Sequence, residues 1–161
     1  MPVRVQTADF ALSTEVASLR AAQGARSARI GAIATFVGTV RDVNENAGVT
    51  SNVSAMTLEH YPGMTERALE AIVNEAKGRF RILDALVVHR VGPLMPQDQI
   101  VLVVTVGGHR GDAFAACEFI MDYLKTRAPF WKKERTPKGE HWVDAREADD
   151  AAAGKWGGGA S

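Results

Sequence analysis

The sequence is short of several things, and each shortage excludes something. It has one cysteine, Cys117, in 161 residues, so no internal disulfide can form and a reducing compartment suits it. No apolar run approaches the length of a membrane span. The first residues, MPVRVQTADF, lack the apolar core of a secretory signal, and the expected location is the cytoplasm. There is no excess of charge: 19 Lys and Arg balance 19 Asp and Glu. No global field therefore steers the protein toward nucleic acid or a membrane, and any functional charge must be local. His60, His89, His109 and His141 form no HxH or HExxH pair. GxSxG, a P-loop and GxGxxG are all missing. Neither a metal nor a bound cofactor is expected. Nothing separates two domains: one domain over residues 1–147 and a flexible tail over 148–161 are expected, the tail's alanines and glycines being too weakly patterned to dock firmly. Trp156 is the one residue able to pin it.

What is present is a mixed series of strands and helices. Val3–Gln6 alternates weakly as a strand. Ser13–Ala22 reads as a helix capped by Ser13, with Val16 and Leu19 on one face. Arg29–Val37 reads as a strand, Asp42–Asn52 as a polar loop, and Asn52–His60 as a strand. Pro62 suits a first helical turn. Met64, Ala68, Leu69, Ile72, Val73 and Ala76 then form a stripe at helical spacing, with Gly78 placed to end it. Arg81–His89 and Gln99–Val106 are two more strands, the latter nearly continuous Ile, Val and Leu and so deep in a sheet. Asp112–Arg127 is a long helix with Phe114, Cys117, Ile120, Met121 and Leu124 toward the core, stopped by Pro129. Phe130–Val143 is extended and basic. The pattern predicts an α+β fold, a mixed sheet covered by two long helices. Cys117, on the apolar face, reads as a buried core thiol rather than a nucleophile.

Three basic clusters stand out. KTRAPFWKKERTPK, Lys125–Lys138, holds six bases and one acid around Phe130 and Trp131. Taken alone it is better read as a solvated helix end, but with apolar walls it makes an anion pocket, in which a partly desolvated lysine suits proton transfer. GGHRGD, Gly107–Asp112, sits at a strand-to-helix turn. Its glycines let backbone approach a ligand, and His109 and Arg110 add a proton carrier and a planar phosphate fork. GTVRD, Gly38–Asp42, puts Arg41 at the end of a buried strand. Three such clusters on a neutral protein are explained better jointly than separately. They imply a small anionic substrate, with lysine or histidine chemistry, and they do not name the reaction. A non-catalytic RNA-binding module is the rival reading, disfavoured by zero net charge and by having only two aromatics in the basic patch. A pure scaffold for a partner protein is a third.

Five segments resemble one family, in its order along the chain. They are ATFVGTVRD (Ala34–Asp42), TLEHYPGMTERAL (Thr57–Leu69), GGHRGDAF (Gly107–Phe114), FIMDYLKTRAPFWKKE (Phe119–Glu134) and WVDARE (Trp142–Glu147). They are similar to the catalytic subunits of molybdopterin synthase, the MoaE family, over residues 8–147. The resemblance implies an α/β-hammerhead type of fold and a central homodimer within a heterotetramer. It implies as partner a small ubiquitin-like sulfur carrier, whose thiocarboxylated Gly-Gly tail threads into the pocket. The implied substrate is cyclic pyranopterin monophosphate (precursor Z), which receives two sulfurs to make the molybdopterin dithiolene. By resemblance Lys125 is the catalytic lysine and Lys132 the second essential one. Thr39, Val40 and Arg41 match the substrate-contacting strand end. His109 and Arg110 match a pair reaching in from the dimer mate. Lys133 and Glu134 match neighbours of the second lysine, Arg146 a further basic residue, and Phe36 and Met121 apolar lining. The loop Asp42–Asn52 is a few residues longer than in some relatives.

Overall fold

A computed structural model describes residues 2–46, 49–143 and 147–157. Its centre is a four-stranded mixed sheet with strand order β1-β6-β8-β2. The strands are β1 (Val3–Gln6), β2 (Ala32–Thr39), β6 (Ile82–Arg90) and β8 (Gln99–Gly107). β1 runs parallel to β6; the other two pairings are antiparallel. The unbroken apolar run of β8 has its cause here: Val101 through Gly107 are all buried, because both faces of the sheet are covered.

One face is covered by two long helices, α2 (Met64–Arg79) and α3 (Arg110–Arg127). Leu69, Ile72, Val73 and Ala76 from α2 meet Phe119, Ile120 and Leu124 from α3 over Val87, Val101 and Val103. Each fully buried aliphatic side chain there contributes about 2 kcal/mol. The buried Thr105 hydroxyl donates to the Ala113 carbonyl at 2.7 Å, tying α3 to β8. The opposite face is covered by α1 (Leu12–Ala22), whose Leu19 packs with Phe10 on Leu86, Val88, Leu102, Val104 and Val106.

A second four-stranded sheet has the order β10-β9-β5-β7. Its strands are β5 (Ala55–His60), β7 (Gly92–Leu94), β9 (Phe130–Thr136) and β10 (Gly139–Val143). Its inner face carries Met56, Leu58 and Leu94, which pack with Val40 and Val91 in a third cluster. A separate hairpin pairs β3 (Val43–Asn46) with β4 (Val49–Asn52).

Several expectations are corrected. Ser13 lies inside α1 and makes no cap bond, since the helix starts one residue earlier behind Ala11. Arg29 closes a 3₁₀ turn, Gly24–Arg29, and the strand begins only at Ala32. Asp42–Asn52 is not a simple loop, because Val43–Asn46 and Val49–Asn52 pair as strands. Pro62 precedes α2 rather than starting it. Gly63 takes the left-handed φ of 84° that glycine tolerates, and its N–H donates to the Glu66 carboxylate at 2.6 Å. Gly78 lies within the last turn of α2, which ends at Phe80 in an extended conformation. Phe114 is 66% exposed rather than core; Ala113 and Ala116 take the inward positions. The expected loose tail is helical over Glu147–Gly154 (α4). Trp156 docks edge-on to Phe80 and Phe119, and its Nε1 donates to Asp122 at 2.6 Å.

Candidate active site

The two sheets and the C-terminal end of α3 enclose a cavity of about 380 Å³. Four stretches of chain carry its polar walls, and each is held by an identifiable device. Thr39, Val40 and Arg41 come from the end of β2. There the register against β8 slips between Gly38 and Thr39, which leaves Ile100 without a partner on β2. Ile100 lines the cavity instead, a common use of a bulge beside a site. The Val40 N–H donates to the Asp98 carbonyl at 2.9 Å, and its own carbonyl accepts from Gln97 at 2.8 Å. Arg41 is thus an exposed cation on a pinned backbone.

Lys125 comes from the last turn of α3, where the helix dipole favours a cation. Ala128 adopts an extended conformation, as a residue before proline must, and the chain turns sharply into β9. The turn is fastened by Thr65 of α2. Its hydroxyl donates to the Pro129 carbonyl at 3.0 Å and accepts from the Tyr61 N–H at 3.0 Å.

β9 then supplies Phe130, Lys132 and Glu134 to the cavity by simple strand alternation. Lys132 Nζ lies 3.2 Å from Glu134 Oε1. The Glu134 side chain is only 4% exposed, whereas that of Lys132 is 32% exposed. The carboxylate therefore anchors the lysine from below while the ammonium faces the open space. Lys125 stands across from them and is exposed at the rim.

His89 of β6 forms part of the cavity wall and was not singled out from the sequence. It is 4% exposed, its ring stacks on Phe130 at 3.9 Å and 18°, and its Nδ1 lies 2.8 Å from the Arg90 carbonyl. Burial pushes its pKa down to about 3, with Lys125 and His60 opposing protonation further. The imidazole is neutral. Its only sequence signal was a polar residue closing the otherwise apolar run Ala85–Val88.

Of the residues expected at the site, Thr39, Val40, Arg41, Lys125, Lys132 and Glu134 are brought together. The others are not, within one chain. Lys133 points to the outer face of the second sheet, 3.2 Å from Glu140 and over the Trp142 ring. Met121 is buried in the core beneath α3, and Phe36 is 40% exposed on β2. His109 caps the N-terminus of α3 and Arg110 begins it, both exposed. Fifteen residues of helix put them about 22 Å from Lys125. Arg146 lies outside the described residues. Cys117 is buried, and desolvation raises its pKa to about 11, which keeps it a thiol.

A mixed sheet under two helices, with a second sheet closing a pocket that gathers Arg41, Lys125 and Lys132 around the buried Glu134, is an arrangement with the charge to hold a small anion. Comparison with known proteins makes this specific. The family model described as MoaE protein matches residues 5–127. A molybdopterin synthase catalytic subunit from Ralstonia nicotianae is 60% identical over 155 residues, covering 96% of this chain and 84% of the relative. Among solved structures, the molybdopterin biosynthesis MoaE protein from Burkholderia ambifaria MC40-6 is 62% identical, with a TM-score of 0.78 and coverage of 96% of this chain and 97% of that one. A chain from a protein-protein complex of subunits 1 and 2 of molybdopterin-converting factor from Helicobacter pylori shares the fold. Its TM-score is 0.71 at 18% identity, with coverage of 91% and 92%. The chain belongs to the MoaE family, and its role lies in molybdopterin biosynthesis.

Proposed function

We propose that this chain transfers sulfur from the thiocarboxylated C-terminus of a small ubiquitin-like carrier to precursor Z, acting in the cytoplasm. The observation that carries the reading is the meeting of Arg41, Lys125 and Lys132 around one cavity. Arg41 and Lys132 hold the substrate phosphate and stabilise developing negative charge. Lys125, at the rim, stands where a carrier tail entering from outside meets the substrate, and acts there as general acid-base or electrostatic stabiliser. Thr39 and Val40 shape the phosphate end, and Glu134 orients Lys132. The sulfur arrives on the carrier, so the inert Cys117 needs no part in the reaction. The carrier as partner is supported by the two-subunit complex in which the Helicobacter pylori chain was solved. Residues 1–147 serve as the catalytic domain, with 148–161 an appendage to it.

The same reading makes the working unit a homodimer inside a heterotetramer. His109 and Arg110 are too far from Lys125 to serve its pocket, so they serve the pocket of the second copy. β2 is an edge strand, and the exposed Phe36 and Phe114 near its course leave apolar surface for a second copy to cover.

Reconstitution with a thiocarboxylated carrier and precursor Z tests both parts. Wild type forms molybdopterin. Arg110→Ala and Lys125→Ala chains are each inactive alone. Mixed equally under subunit exchange, about half the dimers are heterodimers with one intact pocket of two, so activity returns to roughly a quarter of wild type. No product from wild type removes the reading. Product from wild type without recovery, heterodimers being present, removes the shared pocket alone.

A further inference from the structure

The cavity wall holds one polar group for which the proposed chemistry has no use. His89 is clamped on three sides. Phe130 stacks on its ring face at 3.9 Å, the Arg90 carbonyl takes the Nδ1 proton at 2.8 Å, and the first sheet buries the remainder to 4% exposure. With Nδ1 donating, the neutral ring has its lone pair on Nε2. That is the ring atom left for the cavity that His89 shares with Lys125. A neutral acceptor in a cavity that also presents Arg41, Lys125 and Lys132 has an evident complement, an ammonium.

We infer that His89 is a positioning residue for Lys125: its Nε2 lone pair accepts a hydrogen bond from the Lys125 ammonium and fixes where that ammonium meets the substrate. Lys125 ends a long side chain on the last turn of α3 and is exposed at the rim. A poorly placed catalytic group loses much of its effect, and an ammonium has three N–H donors by which it can be placed. A stacked and hydrogen-bonded imidazole is a rigid acceptor against which to place it. Burial keeps this acceptor neutral, and two charged neighbours add to the effect. Lys125 of α3 and His60 of β5 both oppose its protonation. His60 is 3.5 Å from Glu66 of α2, and Glu134 of β9, the nearest carboxylate in the cavity wall, is engaged by Lys132. The hydrogen bond to the Arg90 carbonyl acts the other way, favouring protonation, and burial outweighs it. An ammonium can therefore donate to His89 without handing it a proton over the working pH range.

The inference rests on Lys125 being the reacting-centre lysine, and the test separates the two. The full-length protein is assayed with thiocarboxylated carrier and precursor Z, as wild type, Lys125→Ala, His89→Phe, His89→Asn and His89→Gln, with thermal melts alongside. His89→Phe keeps the stack on Phe130, and His89→Asn keeps a donor for Arg90. Neither offers an acceptor at the Nε2 position, whereas the longer His89→Gln does. Phe and Asn are expected to lower kcat roughly ten- to a hundredfold, the worth of one hydrogen bond to a charged group, with KM little changed. Gln recovers a large part of kcat, and the acid limb of its pH profile stays where it is in wild type. Folded Phe and Asn variants with wild-type kcat overturn the inference. So does loss of the acid limb in the Gln variant, which would make His89 a titrating acid. If the Phe and Asn variants do not fold, the Gln variant decides alone, through its kcat and acid limb. An active Lys125→Ala protein instead removes the reading of Lys125 beneath it.

Discussion

The two sheets have four strands each and do opposite work. In β1-β6-β8-β2 both faces are covered, and Val87, Val88, Leu102, Val103 and Val104 show no exposure at all. In β10-β9-β5-β7 the outer face carries Trp131, Lys133, Arg135 and Trp142 toward solvent, and the inner face mixes Met56 and Leu58 with Lys132 and a buried Glu134. A strand covered on both faces can be apolar throughout and contributes stability. A strand with one face on a cavity can present charge there, and stability suffers little because the same strand hides its apolar residues between the charges. The first sheet is the scaffold. The second, with the end of α3, is the site.

This contrast can be broken in graded steps. The largest effect on stability is expected from Val103→Asp, which places an unpaired charge where exposure is zero. A loss of about 4 kcal/mol or more is expected, enough to unfold most small proteins. Urea denaturation followed by circular dichroism checks it, and a cooperative native-like transition would contradict the division of labour. Next comes acid. The unfolded histidine titrates near its ordinary value of about 6.5, while folded His89 holds out to about 3. Stability from its neutrality is therefore fully present above about 6.5 and is lost as pH falls through that window. The slope is about 1.4 kcal/mol per pH unit from this one group. His89→Phe removes that component, so the difference between the two proteins' urea midpoints should shrink steadily from pH 7 to pH 4. A constant difference would mean His89 is not held neutral.

Smaller still is Cys117→Ala. A buried thiol is lost from the main core, costing about 1–2 kcal/mol, with turnover retained. In the native protein the thiol should react with alkylating reagents only slowly at pH 8, since burial holds its pKa near 11. Abolished turnover in a folded Cys117→Ala protein would route the sulfur through this chain. The smallest stability change belongs to Lys125→Ala, under about 0.5 kcal/mol for an exposed helix-end residue. Its turnover should nevertheless vanish while carrier binding, measured by calorimetry, persists. One substitution that is negligible in the melt and decisive in the assay states the contrast between the two sheets most sharply.

What could be read from the sequence follows the same division. The scaffold was legible because burial writes a periodic signal: the stripe from Leu69 to Ala76 and the run Ile100–Val106 point directly to α2 and β8. The lysines and Arg41 were legible because charge beside apolar residues is conspicuous, and because the family resemblance assigned them roles. Phe114 was misplaced because periodicity alone cannot distinguish a core face from apolar surface left exposed on one chain. The paired strands Val43–Asn46 and Val49–Asn52 read as a loop because their polar sequence carries no alternation to detect. Ser13 and Gly78 were given terminal roles on residue type, which shifts helix ends by one or two positions. His89 was missed because a single polar residue at the end of an apolar strand looks the same whether it is a satisfied core group or part of a cavity wall. Only the packing of Phe130 and the neighbouring lysine separates the two.

Gly31 carries no side chain, and the backbone facing it leaves no room for one. A Cβ there would stand 2.3 Å from the carbonyl oxygen of Gly108, in backbone that cannot swing aside. The two segments meet so closely because the Gly31 N–H donates to the Gly107 carbonyl at 2.9 Å. Gly108 leads directly into His109 and Arg110, so any outward shift at this contact displaces both. Every codon one base change away from a glycine codon, synonyms and stops aside, adds a Cβ. Every such single-base substitution at position 31 is therefore expected to force a shift at this contact, although Gly31 does not line the cavity.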